Sequence, residues 1–197
     1  FPWATEDRSV FFRNLGGDDP TFANIGGEIG FNDTLYGSSL VAFDYDLDGR
    51  LDMAQTIQST EAANGEYSRI RLLHNEPDPL EPSHNFLVIR PRIPGPNHRA
   101  IGAVIRVKIG DLTLSRLITA GTSFMGQEPA EAHFGLGDAV AVDDVSVQWP
   151  DGEISHFDID KVNQVYIVDK DTVSLPNPVL TLLGADTLTV ECDTEFV

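Results

Sequence analysis

The chain is poor in cysteine, poor in positive charge and without a long hydrophobic run, and each shortage excludes something. Its 197 residues hold a single cysteine, Cys192, so no disulfide framework can form within this stretch. A lone cysteine implies a free thiol or a partner outside it. Lysine and arginine number 13 against 31 acidic residues, for a net charge of −18 and a pI near 4.3. Such a field repels nucleic acid and anionic membranes. No apolar run reaches the roughly 20 residues that span a bilayer, so membrane insertion is not expected. The motifs of common enzymes are missing as well: no G-x-S-x-G elbow, no phosphate-binding glycine loop, no H-E-x-x-H and no C-x-x-C. No catalytic residue is assigned, and the five histidines (74, 84, 98, 133 and 156) lack metal-ligand spacing. The chain opens on Phe1 without a methionine, which reads as a processed or partial piece of a longer protein.

What is present is a folded β protein. Hydrophobic residues make up 41% of the chain, enough for a core, and no stretch shows a clean 3.6-residue apolar period. Short alternating runs dominate instead. Ile101, Ala103, Ile105, Val107 and Ile109 would share the buried face of one strand. Gly110-Asp111 turns it into a return strand over residues 112–118, and Pro150-Asp151-Gly152 joins strands over 145–149 and 153–157. A further strand is expected over 165–168.

The most specific segment is Asp44-Tyr45-Asp46-Leu47-Asp48-Gly49-Arg50-Leu51-Asp52. Carboxylates at positions 1, 3, 5 and 9, with glycine at 6, repel one another unless a cation lies among them. An all-oxygen set suits Ca²⁺. The expected ligands are Asp44, Asp46, Asp48, Asp52 and the carbonyl of Arg50 at position 7. Gln55 at position 12 cannot supply the bidentate carboxylate of an EF-hand, and the flanks (39–43 and 51–54) read as strands rather than helices. Asp143-Asp144, Asp158 with Asp160, and Asp169 with Asp171 are lesser acidic pairs, and Asp18-Asp19 reads as a turn.

Ser9–Asn14 and Arg69–Asn75 look like imperfect copies, each a strand ending in asparagine, with the acidic loop between them. A strand, acidic loop and strand in repetition is how a propeller blade reads. Prolines crowd residues 76–84, marking a linker, and Leu175–Pro178 marks another. Residues 179–184 and 188–191 read as two short strands. Residues 85–118 carry six basic residues against one acid. Alternation turns Arg90 with Arg92, and Arg106 with Lys108, outward. Were their strands neighbours, they would form a basic stripe for docking an acidic partner. His133, beside a glycine-rich turn, is expected to hydrogen-bond a turn backbone.

With these residues in view, segments of the chain resemble known families. Residues 9–75 resemble FG-GAP/VCBS propeller repeats. Asn85-Phe86-Leu87-Val88, Asn97–Ala103, His133–Gly137 and Val147–Gly152, in that order, resemble the ASPIC/UnbV domain, and residues 178–197 resemble the opening of a bacterial Ig-like repeat. The resemblance implies an all-β chain in four parts. Residues 1–75 would be a partial propeller-type segment with a Ca²⁺ loop, and 76–84 a linker. Residues 85–174 would be a sandwich- or barrel-like ASPIC/UnbV domain, and 175–197 a linker with the start of an Ig-like repeat. It implies a secreted or cell-surface, non-enzymatic, Ca²⁺-binding adhesion module. The expected partners are other protein domains, another copy of the chain or an acidic glycan. Two alternatives stay open: an enzyme-associated or glycan-acting domain with its active site outside this piece, and a self-assembling fibre or surface-layer subunit whose last strands pair with a neighbour.

Overall fold

The computed structural model describes residues 9–16, 21–32, 36–58, 69–76, 84–170 and 172–176. The expected strands over 179–191, the Ig-like opening, Asp18-Asp19, Asp171 and Cys192 lie outside them. Thirteen strands and no helix occur among the described residues, so the all-β expectation holds.

The N-terminal part contains two small sheets. β1 (Phe12–Asn14) and β2 (Phe22–Asn24) form a hairpin. β3 (Tyr36–Phe43), β4 (Asp52–Gln58) and β5 (Arg69–Leu73) form an antiparallel meander. The acidic segment is the turn from β3 to β4, closed by the pairing of Phe43 with Asp52.

The larger part is a sandwich of two four-stranded sheets, neither closed into a barrel. One sheet runs β11 (Ile154–Phe157), β10 (Asp144–Gln148), β7 (Val104–Ile109), β8 (Leu112–Leu117), all antiparallel. The other runs β13 (Thr172–Pro176), β12 (Gln164–Asp169), β6 (Asn85–Arg92), β9 (Ala132–Gly137), with β12 and β6 parallel. Their inner faces share one core. Leu87, Ile89, Phe134, Leu136, Tyr166 and Val168 come from the second sheet, and Ile105, Val107, Val145 and Val147 from the first. Ala103, Ile105 and Val107 are fully buried, as their alternation predicts, with Ile101 and Ile109 packed at the margin. Trp149 is buried, donates its indole N–H to Ser155 Oγ at 2.8 Å and meets Phe157 edge-on, which places it in both core and hairpin.

The strand expected from residue 101 starts at Val104. Gly102 has φ near 95° and Ala100 near 51°, and this left-handed backbone forms a turn rather than extended chain. Asn97 clamps that turn: its side chain donates to the Ile101 carbonyl at 2.9 Å and accepts from the Ile101 amide at 3.0 Å.

The basic stripe does not form. Arg90 and Arg92 lie on β6, Arg106 and Lys108 on β7, and those strands belong to different sheets. The outer faces of two sandwiched sheets point away from each other. Arg90 pairs with Glu131 at 2.7 Å and Arg106 donates to Gln148 at 3.1 Å. Alternation identified the outward faces, but it carries no information on which strands are neighbours.

The candidate metal turn and its seat on the sandwich

Backbone geometry first shapes the turn. Gly49 has φ near 92° and Leu47 near 64°. Glycine adopts such angles without steric cost, and a leucine there is strained. The carboxylates then knit the turn. Asp44 accepts the amides of Asp48 (3.2 Å) and Gly49 (2.9 Å), and Asp48 accepts the amide of Arg50 at 2.8 Å. Asp52, only 1% exposed, accepts the amides of Asn75 (2.7 Å) and Tyr45 (3.3 Å).

Ligand atoms of Asp44, Asp46 and Asp52 lie within 4.8 Å of one another, and so do those of Asp46, Asp48 and His74. Among the described residues these are the groups that could hold a metal ion; one lies wholly in this turn, and the other adds His74 from just past the end of β5. Burial raises the Asp44 carboxyl above its usual pKa, against the opposing pull of the Gly49, Leu47 and Asp48 amides, while the Asp48 charge raises it further. A cation would favour the ionised form. The donor set therefore fits a hard cation. The Arg50 side chain ion-pairs with Asp48 and donates from Nε to the Asn75 carbonyl at 2.8 Å.

His74 is a member that sequence spacing did not identify. Its Nδ1 lies 3.0 Å from Asp52 and 3.8 Å from Asp46. The signal was in the pairing: Met53 opposite Leu73 carries His74 and Asn75 to Asp52. An imidazole in reach also makes the turn a candidate for Zn²⁺, which accepts mixed nitrogen and oxygen ligands.

Three of the lesser acidic residues are engaged elsewhere. Asp143 accepts the Gly110 amide at 2.6 Å, Asp144 meets His156 at 2.8 Å, and Asp160 accepts the Tyr166 hydroxyl at 2.7 Å.

The turn sits on the sandwich. β6 buries both faces at its start: Leu87 and Ile89 point to the core, yet Phe86 and Val88 on the other face are also buried. Gly49 lies against the Phe86 ring, and a methyl at its Cα would overlap that ring. His133, next to Phe86 and parallel to its ring at 6.0 Å, donates Nε2–H to the Gly49 carbonyl at 2.9 Å. The expected turn-backbone partner of His133 is thus the acidic turn itself. A second tie comes from residues 123–128, which cover the free edge of β3. Ser123 accepts the Leu40 amide at 3.0 Å, and the Met125 amide donates to Ser38 at 3.2 Å. Gly126 fits against Ser39, where a methyl would overlap the hydroxyl.

Together these features define an all-β sandwich domain carrying an acidic turn on its outer face. The family model described as ASPIC and UnbV matches residues 93–174. The match takes in β7 to β12 and the start of β13, and begins just after β6, which nevertheless sits between β12 and β9 in the sheet. No curated protein matches the chain.

Proposed function

We propose that this chain is a non-enzymatic, extracellular structural and adhesion module of a larger protein. In it, Ca²⁺ held by the 44–52 turn fastens an FG-GAP/VCBS-like segment to the ASPIC/UnbV-like sandwich. The observation that carries the reading is the double use of Gly49. It is the residue that lets the acidic turn bend, and it is also the residue seated against Phe86 and His133. Whatever sets the turn's shape sets the contact. A bound ion would be held by Asp44, Asp46, Asp48 and Asp52, with the Arg50 carbonyl as the expected fifth donor, and it would neutralise their mutual repulsion.

The propeller-like part of the reading is supported by the meander flanking the turn. Apolar side chains also stand exposed on the small N-terminal strands: Phe12 at 58%, Phe22 at 60% and Ile70 at 74%. Such faces suit packing against further blades. His133 is engaged with the Gly49 carbonyl, which supports a packing role over general-base chemistry.

Melting the whole chain in 10 mM CaCl₂ and in excess chelator tests the proposal. With a Kd of roughly 10⁻⁴ M, typical of the tighter extracellular Ca²⁺ modules, that concentration adds about 2.7 kcal/mol. Asp46→Ala should remove the response. Identical melting curves with and without Ca²⁺ would refute it.

A further inference from the structure

A cleft lies on the same outer sheet face as the acidic turn, at the far end of β6. Phe86, Val88, Arg90 and Arg92 alternate along that face. From Phe86 to Arg92 is about 20 Å at 3.3 Å per residue. At the Arg92 end opens a cleft of about 430 Å³, lined by Arg90, Arg92, His98, Arg99 and Glu131, with Pro91, Pro129 and Ala130 as apolar walls. That volume falls within the roughly 300–1,000 Å³ of small-ligand pockets.

The cations are unequal. Arg90 gives its Nε to Glu131, whose side chain is only 11% exposed. Arg92 and Arg99 make no ion pair with any described residue. In a chain of net charge −18, two unpaired guanidiniums are kept in one cleft. Arg99 and His98 ride on the turn clamped by Asn97, so their backbone is fixed while their side chains stand exposed at the cleft.

We infer that this cleft binds a carboxylate-bearing sugar of the uronic-acid type. Guanidinium groups match a planar carboxylate with paired hydrogen bonds. Glu131 narrows the choice. Its charge opposes a dianionic phosphate, while the oxygen not held by Arg90 can accept a hydroxyl. One carboxylate with neighbouring hydroxyls satisfies both, and the proline and alanine walls suit the C–H faces of a sugar ring. An extended acidic peptide fits less well. β6 is hydrogen-bonded on both sides, to β12 and β9, so it offers no free edge for strand addition.

Titrating the whole chain with a trigalacturonate by calorimetry tests the site, with the neutral galactose trisaccharide and an aspartate-rich peptide alongside. Trigalacturonate should bind, and the neutral sugar should not. The Arg92→Ala/Arg99→Ala double variant should weaken binding at least tenfold at an unchanged melting temperature. Should that variant melt early, Arg99→Lys on the exposed turn decides: it keeps the charge but loses the paired geometry, and should bind at least threefold more weakly. Equal binding by the variants, absent binding at millimolar trigalacturonate, or stronger binding of the neutral sugar or the peptide would each overturn the inference.

Discussion

His133 donates Nε2–H to the carbonyl of Gly49 at 2.9 Å, joining two residues 84 positions apart. The bond ties the bend of an acidic turn to the outer face of a sandwich. His133→Ala removes the donor and leaves the half-buried Gly49 carbonyl short of a partner, at a cost of about 1–3 kcal/mol. Chemical denaturation of the whole chain measures it. A change under about 0.3 kcal/mol would show the contact to be incidental.

Two glycines with nearly the same backbone angle separate strain from fit. Gly49 and Gly102 have φ near 92° and 95°. A methyl on Gly49 meets the Phe86 ring, whereas one on Gly102 comes no closer than 3.8 Å to Pro150. Gly102→Ala should cost only the left-handed strain of about 1–2 kcal/mol. Gly49→Ala should add about 1–3 kcal/mol of overpacking. Equal losses in urea titrations would mean that the turn does not seat on Phe86 as described.

The two candidate ligand groups separate metals. His74→Ala removes the only nitrogen in the two candidate ligand groups. It should leave a Ca²⁺-induced rise in melting temperature largely intact and abolish any rise caused by Zn²⁺. Loss of the Ca²⁺ response in this variant would mean that His74 supports the turn itself, through Asp52.

A buried tyrosine makes the stability of the sandwich sensitive to alkaline pH. Burial, and then the Asp160 carboxylate that accepts its hydroxyl proton, push the Tyr166 phenol up to about 12 from an ordinary 10. A pKa raised on folding contributes stability that is whole below pH 10 and is lost as the pH rises toward 12. The same bond lowers the Asp160 carboxyl, and that contribution is present above the ordinary aspartate value and is lost as the pH falls through the lowered one. Tyr166→Phe should therefore be less stable at neutral pH and should lose less stability between pH 10 and 12 than the parent. Parallel stability curves over that interval would contradict this.

Local features were legible in the sequence and long-range pairings were not. The β7–β8 hairpin follows from alternation plus Gly110-Asp111, and the acidic turn from spacing, because both are fixed within ten or so residues. Strand neighbours depend on contacts far apart in the chain. The parallel pairing of β6 with β12, and the separation of β6 from β7, left no local trace, and the expected basic stripe failed for that reason. β9 was read only as a motif, and the end of β13, from Leu175, as a linker. His74 joined the turn through the register of β4 with β5. Phe86 belongs to a run buried on both faces, for which alternation has no signal.

The most direct test of the account reads His133 while Ca²⁺ is added. In NMR spectra of the whole chain, the imidazole resonances of His133 should shift on Ca²⁺ addition and its Nε2–H should become protected from solvent exchange, with neither effect in Asp46→Ala. Ca²⁺ binding that leaves the His133 ring unchanged would contradict the claim that the ion fastens the turn to the sandwich.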